Sequence, residues 1–171
     1  MKSIPSQFLL VAIALIVAGC SGGTNGPSSE GEAFLTSTAP ADPLGVVDLK
    51  NNLIAGLAVG PSVIEGRVGG LDNETFDPNQ AAFMVRDLNL KDETHDHGGD
   101  SSHCEFCQAN KLNQLESMAL VRIVDESGNV VQADAQNLLG LKENHIVVAE
   151  GEGVIEDGTM VFNASKVFIR P

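Results

Sequence analysis

From Pro61 onward, apolar and polar positions follow the two-residue period of strands. "SVIEGRVGG" alternates around Val63, Glu65 and Arg67, with Gly at 66, and predicts a strand. "AAFMVRDLNL", Ala81–Leu90, predicts a second, buried one. "MALVRIVDESGNVVQADA", Met118–Ala135, predicts two strands joined at "DESGN", where Gly128 can take positive φ. "QNLLGLKENH" breaks the pattern and predicts a short helical or irregular bridge. "IVVAEGEGVIEDGTMVFNASKVFI" predicts a last hairpin, turning at Glu156–Gly158, because Asp-Gly between apolar runs is a strong turn signal. Ahead of this block, "VVDLKNNLIAGLAVG", residues 46–60, is apolar enough for a short helix packed on the domain. The stretch 20–45 is dominated by Gly, Ser, Thr and Pro and reads as a flexible tether.

The expected fold class is therefore mainly β. Five or six short strands with a helical bridge before the last pair resemble the OB-fold, a small Greek-key barrel. The resemblance covers residues 62–170 within a domain of 61–171. Two stretches carry it. "VIEGRVGG" is similar to the family's first strand, where Gly permits sharp coiling. "LLGLKENHIVVAEGEGVIEDGTMVFNASKVFIR" is similar to the family's step into the final hairpin, with Asn144 near a position that often holds Gly. Residues 91–117 are a helix-bearing insertion between the second and third strands. In this the chain resembles a group of uncharacterised secreted OB-like proteins with a Cys-bearing insertion, a likeness that implies fold and compartment but no activity.

The N-terminus reads as an address rather than as structure. Lys2 supplies a short basic region, and Phe8–Ala18, "FLLVAIALIVA", is an apolar run of 11 residues. A membrane-spanning helix needs about 20, so residues 1–19 read as a signal peptide. The closing "VAGC" resembles the bacterial lipoprotein lipobox, with Val17 where Leu is commoner. That resemblance implies cleavage before Cys20 and lipidation of its thiol. Ser21 rather than Asp follows, which implies the outer membrane of a Gram-negative envelope. Removing residues 1–19 takes away Lys2 and no acid, so the remaining chain is one charge more negative.

Charge narrows the partners. Ten Lys and Arg against 23 Asp and Glu give a formal net charge of −13, with no Trp, no Tyr and seven Phe. Phosphate backbones need a basic footprint, and nucleic-acid-binding OB faces also use stacking aromatics, so nucleic acid is excluded as a partner. The same composition demands a largely aliphatic core. "CEFCQ" has no His after its second Cys, which excludes c-type haem attachment.

The remaining chemistry concentrates in "ETHDHGGDSSHCEFCQAN", Glu93–Asn110. Ser102 and Glu105 have capping-box spacing, and a helix beginning there would carry Leu112, Leu115 and Met118 on one stripe. His103 and Cys104 would open that helix, with Cys107 on the same face. A first-turn Cys sees the helix dipole, which lowers thiol pKa. His95 and His97 share one side of an extended segment, and Gly98 and Gly99 let it fold back. The array H-x-H-x5-H-C-x-x-C offers thiolate and imidazole together, a set suited to Zn(II) or Cu(I). In an oxidising envelope the same pair suits a Cys104–Cys107 disulfide, the nearest rival to metal, and a polar solvated loop is the third reading. His145 lies far off in sequence and reads as structural. Asp125 and Glu126 fit turn chemistry, and the sequons at Asn73 and Asn163 would rarely be used in a bacterial lipoprotein. No nucleophile triad, phosphate loop or acid–base carboxylate pair is present, and the CxxC lacks a thioredoxin-like setting. The expectation is a non-catalytic, lipid-anchored domain that binds metal or an envelope protein.

Overall fold

In the computed structural model, residues 26–70, 75–90 and 112–171 are described. The expected signal peptide, Cys20, and the insertion's His95, His97, His103, Cys104 and Cys107 lie outside the described residues, as does the expected capping box at Ser102 and Glu105. Six strands form one sheet: β1 (Leu44–Gly45), β2 (Pro61–Val68), β3 (Ala82–Arg86), β4 (Met118–Ile123), β5 (Ile146–Glu156) and β6 (Thr159–Ile169). Their order is β1-β2-β3-β4-β6-β5, and β2 also pairs with β5. That second pairing closes β2, β3, β4, β6 and β5 into a mixed five-stranded barrel, with β4 and β6 parallel and the rest antiparallel. The molecule is mainly β, a small OB-like barrel with one extra strand.

Alternation becomes burial as the sequence requires. In β2, Ile64, Gly66 and Val68 face inward and are buried, and Arg67 stays half-exposed. The core is aliphatic apart from Met118, Met160 and two phenylalanines, Phe83 and Phe162, the latter two fully buried. The last hairpin turns at Asp157 and Gly158, whose φ values of 48° and 81° are left-handed, as expected for Asp-Gly between strands. Arg122 of β4 pairs with Glu156 at the end of β5 at 3.1 Å on the surface.

Two helices close the ends. α1 (Val46–Ile54) sinks Val46 and Leu49 into the core, with Leu53 packed behind them, a stripe at helical spacing. α2 (Ala135–Leu139) buries Ala135, Leu138 and Leu139 between the end of β4 and the start of β5. Asp134 caps α2 by accepting from the Gln136 N–H at 2.8 Å. Gly140, with φ 69°, ends it.

The sequence departs from the structure at two points. The turn at "DESGN" forms, but only a single bridge, Val124 to Val130, follows it where a strand was expected. Strand β4 already has β3 on one edge and β6 on the other, so no ladder is free for residues 130–135. Inside this turn the Asp125 carboxylate accepts from the backbone N–H groups of Ser127 and Asn129, each at 2.9 Å. Those bonds, the Asn129 N–H first, hold its pKa below the ordinary aspartate value. The ionised form is the one stabilised, so the turn keeps this support above the unfolded pKa and loses it as pH falls through the folded one. Carboxyl NMR titration is expected to place the Asp125 midpoint below the ordinary aspartate value.

The second departure is the tether. Its later part, from Ser28 to Gly45, packs on the barrel as a strap. The Ser28 N–H donates to the Leu138 carbonyl at 3.0 Å, and the Thr36 N–H to Val167 at 2.9 Å. Between them Gly31–Phe34 form a 3-10 turn with Gly31 buried. The strap ends in β1, parallel to β2 at Ile64 and Glu65.

Candidate functional site

The insertion is mounted on one antiparallel pair. Arg86, the last residue of β3, is the register partner of Met118, the first of β4, so the chain leaves and returns at neighbouring positions. The Asp87 N–H donates to the Ser117 carbonyl at 2.9 Å and closes the foot. The Asp87 side chain, 6% exposed, reaches further. One carboxylate oxygen accepts from the Val47 N–H at 3.1 Å and the other from the Asn89 N–H at 2.8 Å. The first of these is an unsatisfied donor at the start of α1, where an anion also meets the positive end of the helix dipole. A single acid therefore joins the foot of the insertion to α1.

The returning limb is helical over 112–116 and stops at Ser117, whose hydroxyl and N–H both turn back to the Asn113 carbonyl. The stripe expected at Leu112, Leu115 and Met118 is split by this stop. Leu112 and Leu115 are 61% and 51% exposed, whereas Met118 begins β4 and is buried. All three line a cleft of about 410 Å³ with Met84, Lys50 and Thr159. The Lys50 ammonium donates to the Glu116 carbonyl at 3.4 Å across the cleft wall. Among the described residues, the most exposed large apolar side chains are Ile54, Leu57, Val59, Leu112, Leu115, Val154 and Ile155. Every one belongs to the α1 end of the barrel, where α1 ends, the insertion returns and β5 finishes.

Among the described residues, no group of three or more His, Cys, Asp and Glu side chains is placed to hold a metal ion. His145 sits before β5, at the α2 end and away from the foot of the insertion. Its carbonyl accepts from the Val68 N–H at 2.8 Å, and its Nδ1 is buried without a hydrogen-bond partner. A second cleft, of about 430 Å³, is lined by Asp125, Glu126, Glu150 and Glu152, and the Asp125 carboxylate there is already committed to its own turn. Thr75, of the first sequon, is 2% exposed and donates to a Glu143 carboxylate oxygen at 2.8 Å. Asn163, of the second, lies inside β6, paired with both neighbouring strands.

Sequence reasoning missed Asp87. Its main partner lies 40 residues away, and nothing local marks "VRDLNL" as a helix cap. Among the described residues no helix is long and apolar enough to cross a membrane. Compared with models of protein families, with curated proteins and with solved structures, the chain matches none, and its chemistry is read from its own residues.

Proposed function

We propose that this protein is a lipid-anchored domain of the bacterial envelope, acylated at Cys20, that binds Zn(II) or Cu(I) through its insertion and catalyses no reaction. His95, His97, His103, Cys104 and Cys107 supply the ligands, three imidazoles and two thiolates. The observation that carries the reading is the spacing H-x-H-x5-H-C-x-x-C within a single insertion. Two features support it. Both ends of the insertion are fixed on adjacent strands, and the surrounding acidic chain favours cations over anions. The signal-like leader and lipobox support an outer-membrane address.

A second reading has an observation of its own. After lipidation of Cys20, Cys104 and Cys107 are the only free thiols, and an oxidising compartment would pair them. The insertion would then be a disulfide-tied loop on a domain that meets an envelope protein.

Intact mass and elemental analysis of protein taken from its native envelope separate the two. Metal binding predicts about one ion per chain and reduced cysteines. His95→Ala with His97→Ala is expected to weaken affinity by ten- to a hundred-fold or more, roughly the scale at which even outer-shell metal-site changes act. A mass two hydrogens lower, with no bound metal, selects the disulfide. Unchanged affinity in the double variant removes both histidines from the site.

A further inference from the structure

We infer that the N-terminal strap fixes how the barrel stands on the membrane, with α2 toward the lipid and α1 and the insertion toward the water. The inference rests on the Cys20 anchor proposed above. The strap starts at the α2 end. The Ser28 N–H and hydroxyl both turn to the Leu138 carbonyl, at 3.0 and 3.3 Å, and satisfy an acceptor at the end of that helix. Gly31 lies so close that a Cβ there would stand 1.6 Å from the Leu138 oxygen. Lys166 donates its ammonium to the Ala33 carbonyl at 2.6 Å, and Leu35 bridges Val167 near the end of β6. The described chain thus begins at Gly26, beside Gly140, and then runs away from α2 toward β1 and α1.

Chain length makes this an orientation. Six residue steps separate Cys20 from Gly26. Fully extended they reach about 22 Å at most, whatever their conformation. Strands β5 and β6 have 11 residues each. At about 3.3 Å per residue and a tilt near 40°, they make the barrel about 25–30 Å tall. The α1 end cannot be set on the lipid surface unless Ser28 and Gly31 leave α2.

The surfaces agree with this arrangement. The exposed residues of α2, Gln136 and Asn137, are polar and suit a headgroup layer. Among the described residues, the exposed large apolar side chains all belong to the α1 end, held away from lipid. The foot of the insertion, closed by Asp87 and Ser117, lies at that end.

The test uses full-length, acylated protein in vesicles of phosphatidylethanolamine and phosphatidylglycerol carrying a headgroup-linked energy acceptor. Single fluorophores are attached at Gln136→Cys or Leu57→Cys in a Cys104→Ser, Cys107→Ser background. The Gln136 label is expected to be quenched several-fold more than the Leu57 label. Equal quenching, or stronger quenching at Leu57, overturns the orientation while leaving the anchor intact. Intact mass of the same samples reports the anchor by itself, and an unacylated Cys20 overturns both readings. Gly31→Val provides the second arm. Its side chain cannot coexist with the Leu138 carbonyl, so the strap lifts and the two labels should converge. A ratio unchanged in Gly31→Val shows that the strap does not set the orientation.

Discussion

Gly151→Ala is expected to lower stability by about 3 kcal/mol or more, the upper range for forcing atoms into a packed site. A Cβ at this position would stand 2.0 Å from the Asn163 carbonyl oxygen and 2.8 Å from the Ala164 Cα. Both are backbone atoms of β6, so relief requires the strands to part. Gly151 lies at the register shift between Glu150 and Gly151, where β5 bends while still pairing with β2 on its other edge. Bulges are how a strand coils enough to serve two neighbours in a closed barrel. Thermal unfolding followed by circular dichroism should show a midpoint lower by roughly 6–12 °C, at about 2–4 °C per kcal/mol for a domain near this size. Gly158→Ala is the control. Gly158 has φ 81° and no described residue within 4 Å of its would-be Cβ, so the left-handed backbone sets the cost, about 1–2 kcal/mol. Should Gly151→Ala prove no worse than Gly158→Ala, the close approach of β5 to β6 is wrong.

Asp87→Ala should cost about 1–2 kcal/mol, the scale for losing a helix cap and its partly buried hydrogen bonds. The Val47 and Asn89 N–H groups would both lose the carboxylate that now accepts from them. The distribution of the effect matters more than its size. Native-state hydrogen exchange should quicken in the first turn of α1 and at 88–90, with β5 and β6 little changed, because the carboxylate joins those two segments and touches neither strand. Asp87→Asn keeps one side-chain oxygen as acceptor and should recover part of the loss. Uniform acceleration across the barrel would mean that Asp87 supports the core generally and is no local tie.

These two residues also mark what could be read from the sequence. Features set by neighbours along the chain were legible. Asp157 and Gly158 turn the last hairpin because the positive φ that such a turn needs is cheap for them. The apolar stretch from Val46 suggested a short helix, and α1 occupies its first part, Val46–Ile54. Asn144, flagged because Gly often stands near it in the resembled pattern, does take φ 66°, a conformation Asn tolerates better than most residues. Features set by distant partners were not legible. The Ser28–Leu138 contact spans 110 residues, and composition alone gave "GPSSEGEAF" to the tether. "VVQADA" has strand-like residues, but the edges of β4 were already taken. The candidate metal site was legible as residue types and spacing alone, since its five ligands lie outside the described residues. The foot that carries it came from the structure.

The Arg86–Met118 pairing has a consequence for how such a chain can change over generations. Inside the Asp87–Ser117 hydrogen bond, the stretch 88–116 closes a gap no wider than one strand spacing. Loop-closure entropy grows only slowly, about 0.6 kcal/mol for each doubling of length. Changing the length of that stretch therefore costs the barrel little through chain closure alone. Selection can act on its histidines and cysteines while the fold that carries them is inherited unchanged.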